Sequence, residues 1–184
     1  MTRLIFLGAP GAGKGTQGQM LAQSLRIPHI STGDMLRSAI ASQSPLGLKA
    51  KSYVDNGDLV PDELILDLIK ERLRQNDALK GWILDGFPRN VSQAEFLGNL
   101  LSQLNQNCQS VINLNVPDDT LIKRLLARGR KDDNEETIAN RLEVYRQKTA
   151  PLIDFYDQKG LLKNVDGDRP MAEISRDLHT MVKS

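Results

Sequence analysis

Short apolar runs punctuate the chain at residues 4–7, 82–84, 111–116 and 161–165, the length and composition of strands buried on both faces of a parallel sheet. Residues 29–31 are a weaker fifth candidate. Between these runs the apolar spacing changes to that of helices. Residues 61–74 open with Pro61 at a first-turn position and set Leu64, Ile65, Leu68, Ile69 and Leu73 on one face. A second helix is predicted over 117–128, starting with Pro117 and carrying Leu121, Ile122, Leu125 and Leu126 as its stripe, while Arg124 and Arg128 share a different face. A third begins at Asp133, three residues before Glu136 in a capping-box-like start, and repeats Ile138, Leu142, Tyr145, Thr149, Leu152 and Tyr156, with a bend expected at Pro151. Strands alternating with helices predict an α/β doubly wound domain with a parallel sheet. Two stretches break the alternation, residues 31–60 and the short connection 129–132, and both are candidates for moving parts.

Composition narrows the classes. At 184 residues, 40% hydrophobic and 26% charged, the chain should form one globular domain and not a disordered or fibrous protein. Its 24 basic and 23 acidic residues leave a net charge of +1, without the basic field that non-specific nucleic-acid binding shows, so an anionic ligand must be met locally. A single cysteine, Cys108, allows no internal disulfide, and with only His29 and His179 beside it a zinc site is not expected. The apolar runs are too short for a membrane-spanning helix or a signal-peptide core, so a cytoplasmic protein without membrane or nucleic-acid partners is expected.

The strongest chemical signal is Gly8-Ala9-Pro10-Gly11-Ala12-Gly13-Lys14-Gly15-Thr16, directly after the first apolar strand and ahead of a helical pattern from Gln17 to Leu25. Glycines let successive backbone N–H groups curl around a phosphate, the following helix N-terminus adds partial positive charge, and Lys14 brings a mobile cation. Gly15 stands where a P-loop usually has Ser or Thr, and the hydroxyl follows one position later at Thr16. Gly13, Gly15 and Gly18 also match a dinucleotide-binding pattern, but they fall some six residues beyond the strand, inside the helix, and that match is accidental.

After the 82–84 run comes Asp85-Gly86-Phe87-Pro88-Arg89, where a carboxylate ending a strand near a P-loop suits Mg²⁺ held directly or through water. Arg37, Arg89, Arg124, Arg128, Arg130 and Arg141 are all expected at the carboxyl edge of the sheet, and six guanidinium groups imply more anionic charge than one nucleotide brings. Two phosphorylated ligands would account for them.

These residues carry a family resemblance. The phosphate loop, Ser31-Thr32-Gly33-Asp34-Met35-Leu36-Arg37, Asp85 to Arg89, and Asp132-Asp133-Asn134-Glu135-Glu136-Thr137 with Arg141 at the family spacing together resemble a short-lid adenylate kinase among the nucleoside monophosphate kinases. The resemblance runs from Leu4 to about Pro170. It implies a P-loop three-layer fold over 1–184, with a five-stranded parallel sheet flanked by helices, a small helical monophosphate-binding segment at 31–60 and a very short lid at 127–133. It also implies reversible transfer of a phosphoryl group from ATP to AMP to give two ADP, with Mg²⁺ and without zinc, by a monomer. On that resemblance ATP contacts fall on Gly11, Ala12, Gly13, Lys14, Gly15, Thr16, Arg128 and Arg169, with Arg124 packing on the ATP base. AMP contacts fall on Thr32, Arg37, Asp58, Leu59, Val60, Gly86, Phe87, Pro88, Arg89, Gln93, Arg130 and Arg141. Lys14, Arg89, Arg128, Arg130 and Arg141 would act in catalysis, and Thr16 and Asp85 would face the metal.

Relatives acting on UMP or CMP share much of this pattern, but they generally carry alanine where Thr32 stands and asparagine where Gln93 stands. A glutamine amide both donates and accepts, which matches the edge of adenine and favours AMP. A non-catalytic nucleotide-binding regulator and a nucleic-acid-binding P-loop protein are the other classes. The arginine cluster speaks against the first, balanced charge and few aromatics against the second. The lid departs from the family pattern, since only Gly129 separates Arg128 from Arg130.

Overall fold

The structure is a computed structural model that describes residues 1–183. In chain order the elements are β1 (Arg3–Leu7), α1 (Lys14–Leu25), β2 (His29–Ser31), α2 (Thr32–Ala41), α3 (Pro45–Asn56), α4 (Asp62–Leu73), β3 (Trp82–Asp85), α5 (Val91–Gln103), β4 (Ser110–Asn115), α6 (Asp118–Arg128), α7 (Glu135–Val144), α8 (Pro151–Asp157), β5 (Leu162–Asp166) and α9 (Met171–Lys183). A 3₁₀ segment, Asn76–Lys80, precedes β3. All five expected strands form, and they pair in parallel in the order β2-β3-β1-β4-β5.

Alternation along β1 explains the layers. Leu4 and Phe6 point to one face, where they pack with Leu21 of α1, Leu121 and Leu125 of α6 and Leu178 of α9. Ile5 and Leu7 point to the other, against Ile69 of α4, Leu97 of α5 and Tyr156 of α8. A sheet covered on both faces needs apolar residues at successive positions, which is why these strands read as runs. No helix among the described residues is long and apolar enough to cross a membrane.

Three local expectations need correction. The α6 stripe is narrower than its sequence suggests: Leu121 and Leu125 are buried, whereas Ile122 and Leu126 are 37% and 45% exposed, because one helix face meets the sheet and the neighbouring face meets water. Helix α7 is capped by Asn134, whose Oδ1 accepts from the Thr137 N–H at 2.9 Å; Asp133 is drawn away to arginines. Instead of bending a single helix, Pro151 opens α8 at its first position, and the preceding turn Tyr145–Thr149 is widened to a π turn in which the Ala150 N–H bonds the Tyr145 carbonyl. Proline lacks the N–H of a regular turn and its ring would crowd the carbonyl four residues back, so the ladder is interrupted there.

Candidate active site

Sheet order places the site. From β1 the sheet grows through β3 on one side and through β4 on the other, and the loop that follows β1 lies at this reversal, where the carboxyl ends of the strands leave a crevice. The crevice is a cleft of about 1060 Å³, above the ordinary range for one small-molecule site. Every site residue expected from the sequence lines it: Gly11 to Thr16, Thr32, Arg37, Asp58 to Val60, Asp85 to Arg89, Gln93, Arg124, Arg128, Arg130, Arg141 and Arg169.

The floor is the phosphate loop. Gly13 is the N-cap of α1 at φ 96°, a left-handed backbone that glycine adopts without strain. It brings no capping side chain, and the first turn of α1 holds no acidic residue, so the backbone N–H groups there are available to an anion. Lys14 Nζ donates to the carbonyls of Gly8 and Ala9, at 2.8 and 3.1 Å. Enclosure by protein, reinforced by Arg89 and Arg128, pulls its pKa down to about 8 against an opposing pull from Asp85.

Above this floor the guanidinium groups crowd one another. Loss of water, followed by repulsion from Arg128, Arg89, Arg37 and Arg130, lowers the pKa of Arg141 to about 10. Arg130 is lowered by loss of water and by Arg37 and Arg128; Arg89 is lowered by loss of water and by Arg37, against Asp85. Cations collected from α2, the loop after β3, the end of α6 and α7 are held close together at an electrostatic cost, which a polyphosphate would offset. Arg124 and Arg169 stand apart. Arg124 donates to the Gly167 carbonyl at 2.9 Å, and Arg169 is bound to Asp177 of α9 at 2.6 Å.

Several partners were not legible in sequence as parts of the site. Asp133, whose side chain is fully enclosed, holds Arg128 through two hydrogen bonds of 2.8 and 2.6 Å and lies 3.3 Å from Arg141, while Asp132 pairs with Arg141. Burial alone would raise the Asp133 pKa, but hydrogen bonds from Arg128 and the Arg130 N–H hold it below the usual carboxylate range. A phosphate reaching Arg128 and Arg141 must displace these carboxylates. His29 Nε2 stands 3.4 Å from Asp85 Oδ2, and Gly18 of α1 makes room for that ring, since a Cβ there would lie 2.8 Å from Nε2. Thr149, in the π turn, donates to the Arg89 carbonyl at 2.7 Å. The His29 and Thr149 contacts join elements far apart in the chain, and the pairs made by Asp132 and Asp133, though within nine residues, form only because the turn after α6 folds back on α7.

For a metal, the available donors are the Asp85 carboxylate and the Thr16 hydroxyl. Asp85 faces the start of α1, with Oδ2 3.7 Å from where a Gly15 Cβ would be. Hard oxygen donors of this kind fit Mg²⁺, which keeps waters and shares its shell with substrate phosphates. Gly15 in place of a hydroxyl residue leaves open the side of α1 that Asp85 faces.

A glycine-rich phosphate loop at the switch point of a doubly wound parallel sheet, roofed by convergent arginines in a cleft of this size, defines a P-loop phosphate-binding protein with room for two phosphorylated ligands. Comparison with known proteins narrows this class. The family model for adenylate kinase matches residues 6–161. The chain is 58% identical to adenylate kinase 1 of Nostoc sp. strain PCC 7120 over 184 residues, covering all of both chains. It is 59% identical to adenylate kinase 1 of Synechocystis sp. strain PCC 6803, covering 98% of this chain and 96% of that protein. With the adenylate kinase of Leptospira biflexa it shares 51% identity across the full length of both. The chain belongs to the adenylate kinase family.

Proposed function

We propose that the protein catalyses reversible transfer of the terminal phosphoryl group of ATP to AMP, giving two ADP. The observation that carries this reading is the crowding of Arg37, Arg89, Arg128, Arg130 and Arg141 above Lys14 in one cleft large enough for two nucleotides. In the forward direction an oxygen of the AMP phosphate attacks the γ-phosphorus, the bond from that phosphorus to the β–γ bridging oxygen breaks, and its electron pair stays with the departing ADP. The attacking group is already an anion, so the chain need supply no general base. Its work is positioning and electrostatic stabilisation.

In this reading the 11–16 loop and Lys14 hold the ATP phosphates, and Arg128 reaches them from the 127–133 lid. Arg37, Arg89, Arg130 and Arg141 hold the AMP phosphate, and Thr32, the 58–60 backbone and Gln93 face its nucleoside. Arg124 and the backbone near Arg169 border the ATP base, and residues 31–60 act as the monophosphate-binding segment. Mg²⁺, bound with ATP beside Asp85 and Thr16, would neutralise charge on the transferring phosphates. The protein is read as a cytoplasmic monomer, and a lone cysteine suits the reducing cytoplasm. The test is ADP formation from ATP with AMP, UMP, CMP or GMP. Strong preference for AMP is expected; equal turnover of UMP or CMP would move the protein to a sister activity, and no turnover with any acceptor would end the proposal.

A further inference from the structure

Gln93 lies at the third position of α5, and its side-chain Oε1 accepts from the Arg89 N–H at 2.7 Å. Taken alone, this is a glutamine reaching back to the start of its own helix, as in a capping box, beside Asn90, whose Oδ1 accepts from the Gln93 N–H. Capping needs only the oxygen, however, and a glutamate would supply it as well. The second contact is different: Gln93 Nε2 donates at 2.8 Å to Oδ1 of Asp62, which opens α4, 31 residues earlier in the chain. Asp62 is not required there for the helix dipole alone, since Glu63 already stands in the same first turn.

The two contacts together fix the polarity of the amide. A backbone N–H can only donate and a carboxylate can only accept, so Oε1 must face Arg89 and Nε2 must face Asp62. The reversed amide would set donor against donor at Arg89 and acceptor against acceptor at Asp62. One N–H and one oxygen lone pair remain, in a set order, on a residue that lines the cleft. A 6-aminopurine presents a ring-nitrogen acceptor beside an amino donor. A 6-oxopurine presents a ring N–H beside a carbonyl acceptor, the same two functions exchanged. With the acceptor's phosphate held among the arginines, the base cannot turn over to suit, and only a reversed amide would satisfy the oxopurine.

We propose that Asp62, acting with the Arg89 N–H, holds the polarity of the Gln93 amide and thereby makes the acceptor site choose a 6-aminopurine over a 6-oxopurine. Asp62 touches no substrate in this scheme and is a positioning residue. The inference rests on the reading, made above, that Gln93 faces the acceptor base.

The test measures kcat/KM for AMP and for IMP, with ATP as donor, in the parent and in Asp62→Asn, Asp62→Ala, Gln93→Leu and the double variant Asp62→Asn/Gln93→Leu. Asp62→Asn keeps the shape and can accept or donate, and Asp62→Ala removes the partner. Each is expected to lower the AMP-to-IMP preference by about tenfold or more, the scale of one hydrogen bond to a charged group. The KM for ATP should stay unchanged, and the Asp62 substitution should cost no further preference once Gln93 is leucine. A preference within twofold of the parent in both Asp62 variants, while Gln93→Leu flattens it, overturns the role of Asp62 and leaves that of Gln93 standing. A preference that Gln93→Leu does not move overturns both. Equal losses toward AMP and IMP in the Asp62 variants, with a parallel fall in Tm, would mark a structural contact and also overturn the proposal.

Discussion

Lys14 shows how a residue's surroundings reveal its use. Its ammonium is enclosed and faces other cations, so its pKa falls to about 8, an arrangement unfavourable in itself and suited to an incoming anion. A bound triphosphate favours the charged form and raises that pKa, so binding must take up protons where the lysine is partly neutral. At pH 8, where the phosphates of ATP are already ionised, about half a proton should be taken up per ATP bound. Calorimetry in buffers of different ionisation enthalpy reads this directly; a binding heat independent of buffer at pH 8 would contradict it. Replacing Lys14 or Arg89 by alanine should lower kcat by about a thousandfold in a folded chain, as expected when a phosphate clamp is lost. Steady-state kinetics with ATP and AMP check it, and near-parent turnover would remove these side chains from the chemistry. At this scale Lys14, Asp85 and Arg89 were legible because they sit in local motifs. His29 was not, because its contact with Asp85 depends on β2 and β3 being neighbours.

Among the elements, α7 matters most, since it presents Arg141 to the cleft and is tied to α3. Asn140 donates to the Asn56 carbonyl and to Asp58 at 2.8 and 2.9 Å, and Thr137 to the Asp55 carbonyl at 3.3 Å. Helix α7 is therefore tied to the end of α3 and to the turn that follows it. Asn134→Ala removes its cap and should cost about 1 kcal/mol, lowering Tm by about 2–4 °C. Thermal unfolding tests this, and an unchanged Tm would show that the cap contributes nothing. Asp133 looked like the cap in sequence because the pattern of a cap and of an arginine partner is the same at that position. Two guanidinium groups that attract Asp133 decided between them. The π turn before Pro151 was foreseen only as a bend, because whether proline kinks a helix or starts a new one depends on what the next segment packs against, here Leu152 and Tyr156 in the core.

For the molecule as a whole, charge is balanced overall and concentrated locally: a chain of net +1 gathers seven arginines and a lysine around one cleft. A ligand with two adenosines joined through a chain of phosphates should bind at least about a hundredfold more tightly than ATP, since it meets both halves of the cleft without a second loss of translational freedom. Its affinity should fall as salt rises toward 1 M, where screening extends over only about 3 Å. Titrations across ionic strength test both, and an affinity equal to that of ATP would show that the cleft accommodates one nucleotide.

The sequence by itself determined the five strands, the phosphate loop and the identity of the charged residues, because strand burial and loop glycines leave their mark within a few consecutive positions. Only the tertiary structure decided which face of α6 is wet, which carboxylates hold Arg128 and Arg141 and which partner orients Gln93. The Gln93 contact spans 31 positions and the others are choices between equal local patterns, and such choices are made by packing and by charge brought near in space.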